Sequence, residues 1–363
     1  TAGDTLGYVN LAGDVTAVDT VVLTADGGNG QISQTGGTLT ANSLSFSSGD
    51  SVSLGSLAVS TVTGTTVGGN IGLANAGALE ILGLDSGGGD IDVMADLSLT
   101  VSGVIGSGGG GTIALEGSSL ALDSAVNAGL GNVFLTANAG DIACAGLVTG
   151  DALTADAAMG IVLNTSVNSL DASTSAAGDI TVAETGEIVL VDVDTADGSI
   201  AVTAGGRITA TDLAAGGAGD VALATTVGDA RVGNVRAEGN QISVTSTGAI
   251  EEEGQDAGAD LTAAVLDLNA QTGIGAAGAI EAAATGISAD SANGKIDLNN
   301  SNASATSATS LTTGTGDILF SQAGGGPLSV TAATTTSGNV EIDVAGADLA
   351  VETVTAGGAG DVS

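Results

Sequence analysis

Four evenly spaced glycines, Gly294, Gly316, Gly338 and Gly360, head the same short phrase. Gly294-Lys295-Ile296-Asp297-Leu298 returns as Gly316-Asp317-Ile318-Leu319-Phe320 and as Gly338-Asn339-Val340-Glu341-Ile342, and starts again at Gly360-Asp361-Val362. A fixed period between about 20 and 50 residues marks a stacked repeat architecture. Within the phrase, Gly followed by Asp or Asn is turn chemistry: glycine reaches φ > 0, and the Asx side chain bonds nearby backbone. The next three residues alternate apolar, variable, apolar, as in a short half-buried strand. One turn and one strand in each period predicts an all-β fold, a parallel β-solenoid of roughly 20–22 residues per coil.

The same rung runs back through the chain. Gly7-Tyr8-Val9-Asn10-Leu11 and Gly30-Gln31-Ile32 are weak copies. Gly49-Asp50, Gly69-Asn70-Ile71, Gly89-Asp90-Ile91, Gly111-Thr112-Ile113 and Gly131-Asn132-Val133 follow at nearly constant intervals. After a blurred stretch the series resumes at Gly178-Asp179-Ile180, Gly198-Ser199-Ile200, Gly219-Asp220-Val221 and Gly239-Asn240-Gln241-Ile242. Between rungs lies a second alternation, as in Leu79-Glu80-Ile81, Leu99-Thr100-Val101, Ile208-Thr209-Ala210 and Leu349-Ala350-Val351. Each coil therefore offers two clear short strands and a shorter third.

Two stretches depart from the pattern. Near 140–165, Gly140-Asp141-Ile142 comes early and Gly160-Ile161-Val162-Leu163 lacks the Asx. Over 243–293, two rungs must fit between Gly239 and Gly294, which leaves room for a longer loop near Glu253–Gly258. Each unit of a repeat array touches only its neighbours, so the expected organisation is one continuous β-helix over residues 1–363 with irregular coils near 140–165 and 243–293. Gly357-Gly358-Ala359-Gly360-Asp361-Val362 nearly copies Gly216-Gly217-Ala218-Gly219-Asp220-Val221, and neither end reads as a polar cap. The expectation is a segment of a longer array.

Composition limits what such a coil can contain and what it can do. Apolar residues are 43% of the chain, yet aromatics are 1% and Trp is absent, so the core must be thin and filled by small stacked aliphatics. There are 41 acidic residues against four basic ones, Arg207, Arg231, Arg236 and Lys295. Nucleic acid and anionic membrane are poor partners for that charge, whereas solubility and cation association follow from it. Without His, no side chain has an ordinary pKa near neutrality. One cysteine, Cys144, allows no internal disulfide. No apolar run reaches membrane-spanning length and no positively charged leader is seen, so neither a membrane span nor a signal peptide is expected in this sequence.

The run Leu266-Asp267-Leu268-Asn269-Ala270-Gln271-Thr272-Gly273-Ile274-Gly275-Ala276, then Ala279-Ile280-Glu281, then Gly294-Lys295-Ile296-Asp297-Leu298-Asn299-Asn300, resembles the repeats of very large bacterial exoproteins. These are the filamentous-haemagglutinin-like, two-partner-secreted or autotransported adhesins. The likeness is specific over about residues 239–345. It implies a right-handed parallel β-helix, export, and a place on the cell surface or in extracellular fibres. It carries over no catalytic residue and no cofactor, and the family's N-terminal secretion domain is not seen here.

Four features invite a chemical reading. The Asx positions Asp50, Asn70, Asp90, Asn132, Asp179, Asp220, Asn240, Asp317, Asn339 and Asp361 could form a Ca²⁺-binding carboxylate ladder. Asn, Ser, Thr and Lys substitute freely among them, which favours turn chemistry instead. Glu251, Glu252, Glu253, Asp256 and Asp260 form the one tight acidic cluster, and such runs are ordinarily solvated loops. Cys144 falls where Val93 and Leu115 fall in their rungs, as a small buried hydrophobe. Thr61–Thr66 and Thr331–Thr336 do not recur at one position in every coil, which argues against an ice-binding face.

The reading that follows is a non-enzymatic shaft of a secreted or cell-surface adhesin or extracellular fibre, with no catalytic, cofactor or metal site assigned. Its expected partners are other copies of itself, cell-surface or matrix components, and divalent cations. One alternative is a polysaccharide-acting β-helix enzyme, with paired carboxylates but without His or sugar-stacking Trp. The other is a cation-binding surface-layer or matrix protein.

Overall fold

The computed structural model describes residues 7–25, 27–254 and 258–363. Strands are the only regular elements among them, and every described pairing is parallel. Among the described residues, no helix is long and apolar enough to cross a membrane. The strands stack coil upon coil as a β-solenoid. The chain divides into two compact units, Thr1–Ala176 and Ala177–Ser363.

In the first unit a coil is built as the alternation requires. Strands Ile91–Ala95, Leu99–Val101 and Ile105–Gly106 make one coil; Ile113–Gly117, Leu120–Leu122 and Val126–Asn127 make the next. Ile113 pairs with Ile91 on one side and Val133 on the other, and Leu115 with Val93 and Leu135. These side chains point inward and are buried, while Asp92 and Met94 between them face outward. Like stacks on like at one strand spacing, roughly 4.7–4.9 Å, so aliphatic columns fill the interior. Some strands are longer than expected, because extended backbone continues round a corner: Val52–Thr66 pairs with Ile71–Asn75 and then, after a register shift, with Leu79–Asp85.

Packing, more than backbone conformation, explains most rung glycines. A Cβ on Gly111 would overlap the carbonyl oxygen of Gly89, and one on Gly131 that of Gly111. In the second unit Gly198 sits against Gly178, and Gly219 against Gly198. Turn backbones thus pass each other without room for a side chain. The φ > 0 expected from turn chemistry holds at Gly316 (φ 114°), within the C-terminal run.

Buried polar groups also serve the stack. Ser48, Thr66, Ser86 and Ser107 form an inward column, each donating its hydroxyl to a turn carbonyl, as Thr66 does to Gly69 O at 2.6 Å. Thr225, Ser246, Ser291, Thr313 and Thr335 do the same in the second unit. Asn75 and Asn300 act as surrogate backbone. Asn300 Oδ1 accepts from Ala284 N at 2.9 Å, and its Nδ2 donates to Ala284 O at 3.0 Å. Buried backbone groups need partners, and these amides supply them.

The second unit corrects the rung series. Ile180, Ile200, Val221, Ile242, Leu266 and Ile287 form one column. Ile188, Ile208, Ala230, Ile250, Ile274, Ile296, Ile318, Val340 and Val362 form another. The Gly294, Gly316, Gly338 and Gly360 phrases therefore lie on the column of the second alternation and do not continue the Gly178–Gly239 series. A similar switch accounts for the early Gly140-Asp141-Ile142: Ile142 pairs with Leu120, whereas Val133 is followed in its own column by Leu153. The coil contracts between Leu153 and its partner Leu170, and expands between Ile242 and its partner Leu266. Strands Ile250–Glu252 and Leu261–Ala270 flank the stretch near Glu253–Gly258 where the sequence suggests a longer loop, and residues 255–257 of that stretch lie outside the described ones.

Replacing Gly89 by Ala is expected to lower stability by about 1–3 kcal/mol, as overpacking does. Gly55→Ala, where an added Cβ meets nothing within 4 Å, is expected to change stability little. Urea unfolding of the two variants checks the contrast.

Candidate functional site

The Asx residues act between coils, not within their own turn. Asn70 Oδ1 accepts the backbone N–H of Asp90 at 2.9 Å, and Asp90 Oδ1 accepts that of Thr112 at 2.8 Å. Asp179 Oδ1 accepts from Ser199 N at 2.8 Å, Ser199 Oγ from Asp220 N at 3.1 Å, and Asp220 Oδ1 from Gln241 N at 3.0 Å. Asp317 and Asn339 repeat the bond to Asn339 N and Asp361 N, at 2.7 and 2.9 Å. A carboxylate, amide or hydroxyl oxygen serves equally, which explains the free exchange of Asp, Asn and Ser.

Other members of the set have different partners. Asp50 lies one position earlier and binds Gln31 Nε2 at 2.8 Å. Asn240 lies one position before Gln241, which occupies the column, and donates to Gly219 O at 3.0 Å. Asn132 supplies its backbone carbonyl to Ile113 N at 3.0 Å.

Charge alternates along these columns. Asp179 is followed by Ser199, Asp220 and Gln241; Asp317 is followed by Asn339 and Asp361. Like charges directly opposite on adjacent strands destabilise, and neutral residues keep the carboxylates apart. The four basic residues each meet an acid: Arg207–Glu187 at 2.9 Å, Arg236–Asp212 at 3.3 Å, Arg231–Glu253 at 3.8 Å and Lys295–Asp297 at 2.8 Å. Among the described residues, the ladder nowhere gathers three acidic oxygens into one site.

The acidic cluster is dispersed and partly rebuilt. Glu251 accepts from Ala277 N at 2.9 Å, and Glu253 faces Arg231. Asp256 lies outside the described residues. Glu252 and Asp260 come together with Glu281, one carboxylate oxygen of each lying within 4.8 Å of the others. The reading of Asp260 as a solvated loop acid is corrected: it is 3% exposed. Adjacent coils fix it there, because Asp260 N donates to Glu281 O at 2.8 Å and Glu281 N donates to Asp260 Oδ2 at 2.9 Å. Burial is the main cause that pushes the Asp260 carboxyl up to about 7; the Glu281 N–H opposes the rise, and the Glu252 and Glu281 charges add to it. Asp260 and Glu253 also line a groove of about 470 Å³ with Thr211, Asn234 and Gly258. Such a trio can hold a proton or a cation. Glu281 stands more than a coil beyond Glu252 in the sequence, and only the coil period, which sets Leu261 beside Ala282, links Asp260 to it.

Cys144 is buried and free, and burial pushes its thiol up. Its position is corrected: it stacks on Leu122, in the column beside that of Val93 and Leu115. Comparison with protein-family models, curated proteins and solved structures gives no match to this chain. The class that the geometry defines is the parallel β-solenoid.

Asp90→Ala removes the acceptor for Thr112 N and is expected to cost about 1 kcal/mol, whereas Asp90→Asn keeps the acceptor and is expected to stay near wild type in chemical denaturation. Asp260 has a folded pKa above its unfolded value, so its contribution is full below about pH 4 and lost as pH rises to about 7. With divalent cations chelated, the melting temperature is expected to be higher at pH 5 than at pH 8. Asp260→Asn should shrink that difference, and an unchanged difference would remove Asp260 as its source.

Proposed function

We propose that this chain is a structural β-solenoid module, the shaft of a secreted or cell-surface adhesin or of an extracellular fibre, and that it is not an enzyme. The observation that carries this reading is what the recurrent polar residues do. Asx oxygens, inward hydroxyls and buried amides bond one coil to the next, so the most regular chemistry of the chain is structural. The resemblance to filamentous-haemagglutinin-like exoprotein repeats supports the extracellular placement. A polysaccharide-cleaving site finds less support. The groove of about 630 Å³ beside Thr65, Asp85, Val104 and Asn127 has Asp85 as its single lining carboxylate, whereas glycosidases ordinarily use two acids; the groove of about 470 Å³ does offer two, Glu253 and Asp260, but no aromatic side chain lines it to stack on a sugar ring.

The outer surface is strongly anionic, with a formal net charge of −37. At physiological salt the Debye length is about 8 Å, so repulsion between molecules is short-ranged. Divalent cations bridge carboxylates across that gap, which makes other copies of the chain, and acidic matrix or cell-surface components, its natural partners.

Static light scattering at physiological salt is expected to rise on addition of excess Ca²⁺ and to fall again with chelator; unchanged scattering counts against cation-bridged association. Antibody against the chain is expected to label intact source cells or their extracellular material, and signal confined to the cytosol would refute the placement. Incubation with acidic and neutral glycans is expected to yield no cleavage products, and turnover would favour the enzyme.

A further inference from the structure

We propose that Asn302 is a glycosylation acceptor, taking a sugar on its amide nitrogen from a glycosyl diphosphate donor. The inference goes beyond the shaft reading: it needs the folded chain to meet a sugar transferase and asks nothing of what the rod adheres to. Asn-x-Ser/Thr is the acceptor pattern for this chemistry where it stands on a surface loop. The chain holds the pattern at three places, Asn164-Thr165-Ser166, Asn299-Asn300-Ser301 and Asn302-Ala303-Ser304, and the fold treats them differently.

Asn302 lies on an extruded loop. The preceding coil runs through as one strand, Ile280–Ser291, whereas here one strand ends at Ser301 and the next begins at Thr306. Buried Asn300 and Thr306 both donate to Ala284 O, at 3.0 and 3.3 Å, and bond to each other at 3.3 Å. They close the ladder and leave residues 301–305 outside it. Ala303, Ser304 and Ala305 are exposed. The turn beside them in the following coil is Gly324-Gly325-Gly326, which carries no side chain; a Cβ on Gly324 would meet the Asn302 backbone, and one on Gly326 the Ser304 carbonyl oxygen.

The amide is oriented for the reaction. Asn302 Oδ1 accepts the backbone N–H of Ser304 at 2.8 Å, while Nδ2 donates to no group among the described residues. In the transfer, Nδ2 forms a bond to the anomeric carbon of the sugar. The bond from that carbon to the phosphate oxygen breaks, its electron pair leaves on the diphosphate, and one amide proton passes to a base of the transferase. Negative charge gathers on Oδ1 as that proton leaves, and the Ser304 N–H stabilises it. The donor is anionic, and like charges repel; residues 298–316 contain no acid, although the chain has 41. The other two patterns are closed. Asn164 Nδ2 is engaged by Cys144 O at 3.1 Å and Ala145 O at 3.3 Å, within strand Ile161–Ser166. Asn299 sits within strand Ile296–Ser301, paired with Glu281 on one side and Ser321 on the other, and its Oδ1 accepts the Ser321 hydroxyl at 2.7 Å.

The test is peptide mapping by mass spectrometry of the full chain isolated from its source cells, before and after treatment with an amidase that releases asparagine-linked glycans. The expected result is a hexose- or N-acetylhexosamine-based mass on the Asn302 peptide, removed by the amidase with conversion of that residue to Asp, and unmodified Asn164 and Asn299. Produced in the same cells, Asn302→Gln and Ser304→Ala are expected to lose the glycan and Ser304→Thr to keep it. Ser304→Ala retains the backbone donor to Oδ1, so its loss reads the hydroxyl that the acceptor pattern requires, and circular dichroism checks that each variant folds. An unmodified Asn302, a glycan carried by Asn164 or Asn299 in its place, or a glycan that Ser304→Ala retains overturns the proposal.

Discussion

Every coil must lie against its neighbours at the distance fixed by parallel strand pairing, and the turns must follow at that same distance. Strands achieve it easily, because their side chains point in or out and not along the stack. Turns do not, because their backbone has no fixed direction. The rung glycines resolve the conflict: Gly111 passes so close to the Gly89 carbonyl, and Gly338 to the Gly316 carbonyl, that a methyl group would not fit. Glycine at these rung positions is thus a consequence of stacking.

Once the turns are in contact, their polar groups must be satisfied along the stack as well. An Asx oxygen reaches the N–H of the equivalent turn one coil on, as Asp90 does to Thr112. A hydroxyl at the last inward strand position closes on the turn carbonyl, as Thr335 does on Gly316 O at 2.9 Å. These two devices divide the work: one accepts, the other donates. They keep the ladder continuous where strand pairing stops, and they leave the core columns to Ile, Val and Leu.

The fold is legible in the sequence because the same constraint repeats. Periodic glycine, alternating aliphatics and the near absence of aromatics all follow from one narrow coil, and each is visible residue by residue. What escapes is the assignment of rungs to columns. Any of the strands in a coil can begin with Gly-Asx-Ile, so the phrase marks a turn without saying which one, and Gly294 reads as the successor of Gly239. The column of Cys144 is misread for the same reason, although its burial is not. The capping hydroxyls leave a usable signal, a Ser or Thr shortly before the rung glycine, as in Thr66 and Gly69, Ser86 and Gly89, or Thr313 and Gly316. The Glu252–Asp260–Glu281 trio leaves a weaker one. Its members are joined only by coil register, and the local run of glutamates draws attention to Glu251 and Glu253, which face other partners.

In-register stacking of successive coils is the central claim, and Phe46 with Gly64 offers its most direct measurement. Phe46 is 3% exposed and stacks directly on Gly64 in the next coil, where an added Cβ would run into the Phe46 ring. A double-mutant cycle with Phe46→Ala and Gly64→Leu measures their coupling by denaturant unfolding. In-register stacking predicts that each single change destabilises, by about 3–5 kcal/mol for the cavity left by Phe46→Ala and about 1–3 kcal/mol for the overpacked Gly64→Leu. The double variant should then recover at least about 2 kcal/mol of the sum, as coupled neighbours do. Additive effects within about 0.5 kcal/mol would mean that the two side chains never meet, and would contradict the account.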